Sequence, residues 1–155
     1  MCRLGVLHIT GEGVPVDKAA ALGWFKRAAE AGHADAMFNL GFMHHQGEGV
    51  PVDKAAAVGW YERAAEAGDA GAMLSLGVMH SDGDGVAVDK AAAVRWWERA
   101  AAVGHAGAMN NLGVMHYEGD GVAVDKAAAV RWLKRAAEAG DDGAAEMLAA
   151  MQQIA

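Results

Sequence analysis

The chain contains 155 residues, of which 54 % are apolar, enough for a packed core, and it carries a formal net charge of −7. The acidic balance argues against nucleic-acid binding, because phosphate contacts need clustered lysine and arginine, whereas here bases alternate with acids. No segment of about 18 residues is free of charged side chains, so no membrane span is expected. With a single cysteine, Cys2, and no apolar leader at the start, we expect a cytoplasmic protein without disulfides.

A repeat of 36 residues organises the sequence, since tryptophan recurs at that spacing as Trp24, Trp60, Trp96 and Trp132. A period between about 20 and 50 residues is typical of a solenoid, in which each repeat packs mainly on its neighbours. We therefore expect a single repeat domain over 1–155. Its parts would be a truncated repeat 1 (1–32), repeat 2 (33–68), repeat 3 (69–104), repeat 4 (105–140) and a capping helix (141–155).

Each repeat contains two predicted helices, called helix A and helix B, joined by a glycine-rich turn. Apolar residues three and four apart predict helices A at about 1–9, 34–45, 70–81 and 106–117. Glycine is unfavourable inside a helix, so the turns end them. Aspartate is a good N-cap and predicts helices B at about 17–31, 53–67, 89–103 and 125–139.

The helix ends follow from the same residue chemistry. Gly68 is expected to adopt the left-handed conformation that commonly follows a helix. Near the C-terminus, Asp141 and Asp142 can cap a ninth helix, in which Leu148 and Met151 keep the core register. Its solvent face would contain Glu146, Gln152 and Gln153.

The second helix B predicts which side chains form the core. Its apolar stripe contains Ala57, Trp60, Tyr61, Ala64 and Ala65, whereas Lys54, Glu62, Arg63 and Glu66 should point outward. We interpret the recurring tryptophans as core residues. On that interpretation Trp60→Ala or Trp96→Ala should cost about 3–5 kcal/mol of stability.

Repeat 2 combines small residues, a glycine turn and an aspartate cap in one pattern, made of Ala36, Leu40, Gly41, His44, Gly47, Gly49, Val50, Asp53, Ala57, Trp60, Tyr61, Ala64, Ala65 and Gly68. This pattern resembles the Sel-one-like repeat (SLR) family, a relative of the tetratricopeptide repeats with longer units. The resemblance implies an all-α fold, a right-handed α/α superhelix that acts as an adaptor for proteins or peptides.

The chain departs from that family at three points. The family usually has tyrosine where this chain has histidine, and it usually has lysine three residues after the helix B aspartate, where this chain has alanine. Many secreted members also carry paired cysteines, which are absent here. The lysine instead directly follows the aspartate, as Lys18, Lys54, Lys90 and Lys126.

Four histidines at equivalent positions, His8, His44, His80 and His116, form the most suggestive candidate for a metal site. Equivalent residues of stacked repeats should lie about 8–10 Å apart, however, and zinc needs each nitrogen within about 2.0–2.1 Å. We interpret these histidines as structural residues that replace tyrosine and are hydrogen-bonded locally. No metal is predicted.

The glycine turns offer no convincing cofactor site. An acid between the two glycines of every turn would repel phosphate, and no Gly-Lys-Ser/Thr follows. A calcium loop starting at Asp82 would need its closing glutamate where the chain has Ala93. No nucleophile–base–acid constellation is apparent either. The sequence therefore predicts no cofactor and no catalytic residues.

Helix A differs between repeats at four positions, and three of them, those of Phe38, Phe42 and His45, lie on a face different from that of Met37 and Leu40. In a solenoid the helix A faces form a continuous concave wall that is free of the packing constraint. We expect a groove for a peptide or partner protein there, with aromatic anchors and with Asn39 and Ser75 supplying hydrogen bonds. Its predicted lining is Phe38, Asn39, Phe42, His45, Leu74, Ser75, Val78, Asn110, Asn111, Val114 and Tyr117.

The favoured function is thus a non-catalytic scaffold for protein–protein interaction. One alternative is an enzyme or small-ligand binder that acts on cell-wall fragments, a chemistry linked to some proteins that the chain resembles. Another is a structural module that self-associates, because the truncated first helix leaves apolar surface open at the N-terminal end.

Overall fold

The structure is a computed structural model that describes residues 1–154, with side chains to residue 151. Over this range the chain forms nine α-helices and no strand, which confirms the all-α repeat solenoid. Every predicted boundary of helices A and B lies within one residue of the observed one. The helices are α1 (Cys2–Thr10), α2 (Lys18–Glu30), α3 (Ala34–Gln46), α4 (Lys54–Glu66), α5 (Ala70–Asp82), α6 (Lys90–Ala102), α7 (Ala106–Glu118), α8 (Lys126–Glu138) and α9 (Asp142–Ile154).

Capping sets the helix boundaries. In all four helices B, the aspartate before the helix accepts a hydrogen bond from the backbone N–H three residues later, for example from Ala56 to Asp53 at 2.9 Å. Such a cap stabilises a helix by about 1 kcal/mol. The bond from Ala128 is also the main reason why the pKa of Asp125 is lowered. As predicted, Gly68 follows its helix with a positive φ of 94°.

The chain divides into two compact units. The first unit contains Met1–Ala72 together with Asp84–Val86, and the second contains Met73–Gly83 together with the chain from Ala87 onward. In the first unit α1 packs on α2, α2 on α3 and α3 on α4; in the second, α6 to α9 pack in the same succession. The expectation of one domain over 1–155 stays a prediction.

Helices A and B of one repeat approach closely because glycine faces a large side chain. A Cβ at Gly41 would lie 2.7 Å from two ring carbons of Tyr61, and one at Gly113 would lie 2.6 Å from Cγ of Leu133. Burial also raises the pKa of Tyr61 to about 12. Each repeat has this pair, and the buried partners on helix B are Phe25, Tyr61, Trp97 and Leu133.

The recurring tryptophans do not occupy the core, so that prediction was wrong for Trp60 and its equivalents. All four are half-buried, and the residue after each takes the buried position. A step of one residue turns the side chain by about 100° around a helix of 3.6 residues per turn. Each indole instead stacks under the arginine three residues later, at 4.3–4.9 Å from guanidinium carbon to ring centre. The rest of the predicted stripe, Ala57, Tyr61, Ala64 and Ala65, is buried.

The ninth helix begins as predicted, because the Asp141 carboxylate accepts the N–H of Ala144 at 2.8 Å. Ala144 is fully buried, whereas Leu148 and Met151 are half-buried. Glu146 is exposed, as expected. The side chains of Gln152 and Gln153 lie outside the described residues.

Candidate binding site

The acid of each glycine turn from repeat 2 onward pairs with the helix B lysine of the preceding repeat. We call this contact a joint. The Nζ–carboxylate distances are 3.4 Å from Lys18 to Glu48, 2.5 Å from Lys54 to Asp84 and 2.7 Å from Lys90 to Asp120. The joints account for the acids of the last three turns, and for the lysine that directly follows the capping aspartate in repeats 1 to 3.

The second glycine of the turn completes the joint. Gly85 has a φ of 78°, and a Cβ there would lie 2.7 Å from the carbonyl oxygen of Lys54. Any other residue would therefore meet both backbone strain and a steric clash. Gly13, in the first turn, has open space around it among the described residues.

In the first unit a histidine closes the joint around Asp84. The Nε2 of His45 lies 2.7 Å from one carboxylate oxygen, and Lys54 binds the other. The Gln46 amide nitrogen lies 3.0 Å from Nδ1 of His45, so with Nδ1 as the acceptor, Nε2–H donates to Asp84. The hydrogen bond from Lys54, and next in size the one from His45, hold the pKa of Asp84 below its usual value.

In the second unit the corresponding joint is open. Ser81 stands where repeat 2 has His45, and Asp82 stands where it has Gln46. Lys90 donates to Ser81 Oγ at 3.0 Å and pairs with Asp120, so no imidazole covers this carboxylate.

A cleft of about 280 Å³ lies beside this open joint. Val78 and Val114 line it together with the nearly fully buried Trp97 and Met115. The indole N–H of Trp97 donates to the Leu74 carbonyl at 3.2 Å, which fixes the ring. The remaining lining is polar and consists of Ser81, Asp82, Asn111, Glu118 and Asp120.

Three residues of the predicted groove, Val78, Asn111 and Val114, thus come together in the second unit. Val78 is 42 % exposed. Asn111 is half-buried and makes no hydrogen bond within residues 1–151, so its amide is available to a ligand.

The other predicted groove residues of the second unit lie outside the cleft. Leu74 and Asn110 are half-buried on α5 and α7, and Ser75 is half-buried as well. Tyr117 lies under the ammonium group of Lys126, which is 5.7 Å from the ring centre.

The predicted groove residues of the first unit are largely engaged by the chain itself. The Phe38 ring packs on Tyr61 with 5.5 Å between centroids, and Asn39 donates to the Asp35 carbonyl at 2.6 Å. His45 belongs to the closed joint. Phe42, by contrast, is 41 % exposed.

The acidic lining residues were missed in the sequence, although a signal was present. The last residue of helix A differs between repeats as Thr10, Gln46, Asp82 and Glu118. The groove was predicted from the same kind of variation between copies, at the position of His45 and its equivalents, which is one residue earlier in helix A.

The four equivalent histidines hold the junction between helix A and the turn through their backbone. Each carbonyl accepts the N–H of the helix B aspartate at 2.8 Å, as from Asp53 to His44. The prediction that these side chains are hydrogen-bonded locally is not met at Nδ1, which is buried and unpartnered in all four within the described chain.

Among the described residues no group of three or more histidine, cysteine, aspartate or glutamate side chains is placed to hold a metal ion. In the same part of the chain, no helix has the length and apolarity to cross a membrane.

Comparison with known proteins gives a consistent result. The Sel1 repeat family profile matches four times, at residues 1–33, 34–69, 70–105 and 106–141. These repeats begin and end within about one residue of the predicted ones. None of the curated proteins compared matches the chain.

Solved structures resemble it closely. The crystal structure of a protective antigen present in uropathogenic Escherichia coli strains, which displays an SLR fold, is 41 % identical with a TM-score of 0.92, covering 96 % of this chain and 32 % of that one. A Sel1 repeat protein from Oxalobacter formigenes is 36 % identical with a TM-score of 0.90, covering 94 % of this chain and 60 % of the other. The chain therefore spans about a third of the first protein's length and 60 % of the second's.

A more distant structure supports the fold alone. Helicobacter pylori cysteine rich protein B has a TM-score of 0.69 at 20 % identity, covering 86 % of this chain and 96 % of that one.

Proposed function

The chain belongs to the Sel1 repeat family, and on this premise we propose that it is a non-catalytic scaffold that binds a peptide or partner protein through its helix A surface. Proteins of this family are generally interaction scaffolds without catalytic activity. The proposed anchoring point is the cleft of the second unit. The remaining predicted groove residues would extend the contact along helices A.

One observation carries the proposal: residues that the repeat leaves variable line a cleft next to an unused amide. Val78 and Val114 offer apolar area, and Asn111 offers a donor and an acceptor to a peptide backbone. Binding energy in interfaces concentrates in a few such buried contacts. The cleft is smaller than a typical small-molecule site of about 300–1,000 Å³, so it suits one side chain of a larger partner.

A peptide selection tests the proposal. The immobilised chain would be used to enrich binders from a random peptide library, and the affinity of the enriched peptides would be measured by calorimetry. We expect the variant Val78→Ala/Asn111→Ala/Val114→Ala to lose about tenfold or more in affinity. Val103→Ala is the control, because Val103 is 61 % exposed and outside the cleft. Unchanged binding by the triple variant would refute the cleft as anchor.

A second variant tests how far the site extends. Phe38→Ala/Phe42→Ala/Tyr117→Ala removes aromatic surface on α3 and α7 and leaves the cleft lining intact. If enriched peptides bind this variant as tightly as the unaltered chain, the site is limited to the cleft and the longer groove is wrong.

Self-association is a second candidate, favoured by the apolar surface of α1. Leu4 and Val6 are 41 % and 43 % exposed on this short helix, and Met1, just before it, is 50 % exposed. Light scattering across a concentration series tests it, with Leu4→Gln/Val6→Gln as the disrupting variant and Val103→Gln as the control. A monomeric mass at the highest concentration would reject the idea.

A further inference from the structure

We infer that the second-unit cleft binds a cationic side chain, an arginine or lysine of the partner, with its methylenes on the valines and its charged head at the carboxylates. This inference rests on the proposed function and adds the chemical class of the bound group. Such a ligand combines an apolar stem with a charged head, which is the combination that the lining presents.

The charge of the lining supports a cation. Three carboxylates, those of Asp82, Glu118 and Asp120, surround the cleft, and one ammonium group, that of Lys90, pairs with Asp120. Asp82 and Glu118 form no ion pair in the described part of the chain. Two negative charges therefore stay uncompensated beside the cleft, and a partner's guanidinium or ammonium group would neutralise them.

The apolar lining supports a stem rather than a bare ion. Val78 leaves 42 % of its surface open, and Trp97 behind it is only 4 % exposed and held by its hydrogen bond. A rigid apolar surface next to carboxylates favours a side chain that buries methylenes and extends a charge. Guanidinium also pairs with carboxylates in a planar, bidentate geometry.

The first unit provides an internal comparison. There His45 and Gln46 occupy the positions of Ser81 and Asp82, and the imidazole already binds the turn acid. In the first unit a histidine side chain therefore fills the place beside the turn carboxylate, and in the second unit no imidazole fills the equivalent place. The inferred ligand takes the place beside Asp120 that His45 takes beside Asp84, and its charge faces Asp82 and Glu118.

A pair of blocked synthetic peptides tests the charge directly. One has the central sequence Leu-Arg-Leu, and the other has citrulline, a neutral isostere, in place of arginine. Each is titrated into the isotopically labelled chain while the amide signals of Asn111 and Val114 are followed. We expect the arginine peptide to shift both signals and to bind about fivefold more tightly than the citrulline peptide, with a difference that shrinks as salt is added.

Two variants assign the effect to the lining. Asp82→Asn/Glu118→Gln removes both uncompensated charges with little change of shape, and it should abolish the preference for arginine. Val103→Ala should preserve it. Both altered acids are exposed, so folding is expected to be retained and is checked by circular dichroism.

The outcomes separate this inference from the function on which it rests. Equal affinity for the two peptides, or a preference that survives Asp82→Asn/Glu118→Gln, overturns the inference of a cationic ligand and leaves the proposed scaffold function standing. If library peptides bind through the cleft but neither synthetic peptide shifts it, the cationic ligand is again wrong and the scaffold stands. If no peptide of either kind reaches the cleft, both are wrong.

Discussion

The two compact units build the same joint and finish it differently. In the first, Asp84 is bound by Lys54 and also by His45. In the second, Asp120 is bound by Lys90 alone, while Ser81 takes a hydrogen bond from the same lysine. The lysine–acid pair is therefore the constant part of the repeat, and the end of helix A is the adjustable part that either covers the acid or leaves a cleft.

This difference separates two kinds of residue within one repeat. Alanines and glycines between the helices permit close packing in every copy, as at Ala57 and Ala93, both fully buried. Residues at the helix A terminus contact the joint and can change without loss of packing.

The largest effect is expected from the buried aromatic position. Trp97→Ala should cost about 3–5 kcal/mol of unfolding free energy, because the ring is 4 % exposed and packs on Gly77. Trp96→Ala removes a half-exposed ring stacked on Arg99, and should cost only about 1 kcal/mol. Urea unfolding measures both. Equal losses would mean that the neighbouring rings share the core, contrary to the structure.

A slightly smaller effect is expected where glycine meets the aromatic ring. Gly41→Ala should destabilise by about 1–3 kcal/mol, because its methyl group would overlap the Tyr61 ring. Gly59→Ala, in the neighbouring helix with open space around it among the described residues, should instead stabilise by about 0.5–1 kcal/mol. Opposite signs in urea unfolding would support the close approach of the two helices; a stabilised Gly41→Ala would contradict it.

Exchanging the helix ends tests the adjustable part itself. Ser81→His/Asp82→Gln gives the second unit the residues of the first, and should weaken the arginine peptide about fivefold through loss of one charge and cover of Asp120. The reciprocal His45→Ser/Gln46→Asp should leave its affinity for the cleft unchanged. Both are measured by the same titration. Full binding by the first exchange would show that the helix end does not control the cleft.

The smallest effect concerns the pKa of Asp84. Because it is lowered in the folded chain, the carboxylate adds stability above its unfolded pKa of about 4, and this contribution is lost as pH falls through the folded value. Lys54→Met should raise the Asp84 pKa towards normal, as followed by carboxyl carbon chemical shifts. The stability cost should be at most about 1 kcal/mol for a pair this exposed. An unchanged pKa would mean that Lys54 does not hold the acid.

Much of the fold follows from the sequence because its signals are local. Aspartate caps and glycine turns fix every helix boundary within one residue, and the 36-residue period gives the number of helices. The tryptophan error has a different origin: in the pair Trp60-Tyr61 both residues are large and apolar, and periodicity does not decide between neighbours. The decisive partner, Gly41, lies on another helix.

The lining of the cleft was predicted only in part for a similar reason. Variation between copies identified Val78, Asn111 and Val114, which do line one cleft. It could not show that Phe38 packs on Tyr61 or that His45 binds Asp84, since both contacts depend on how helices and repeats stack. The compartment, the single-domain organisation and the longer groove stay predictions.

The joints also bear on how such a chain can lengthen. Each lysine precedes its acid by thirty residues, from 18 to 48, 54 to 84 and 90 to 120, which is less than one period. Any tandem duplication that copies 36 residues in register therefore reproduces a lysine, an acid and a glycine at the correct separation. A new copy arrives with both halves of its connection already encoded, whereas an insertion of another length between a lysine and its acid changes their separation and breaks that pairing. The lysine–acid pairing therefore favours insertions of one whole repeat over insertions of another length.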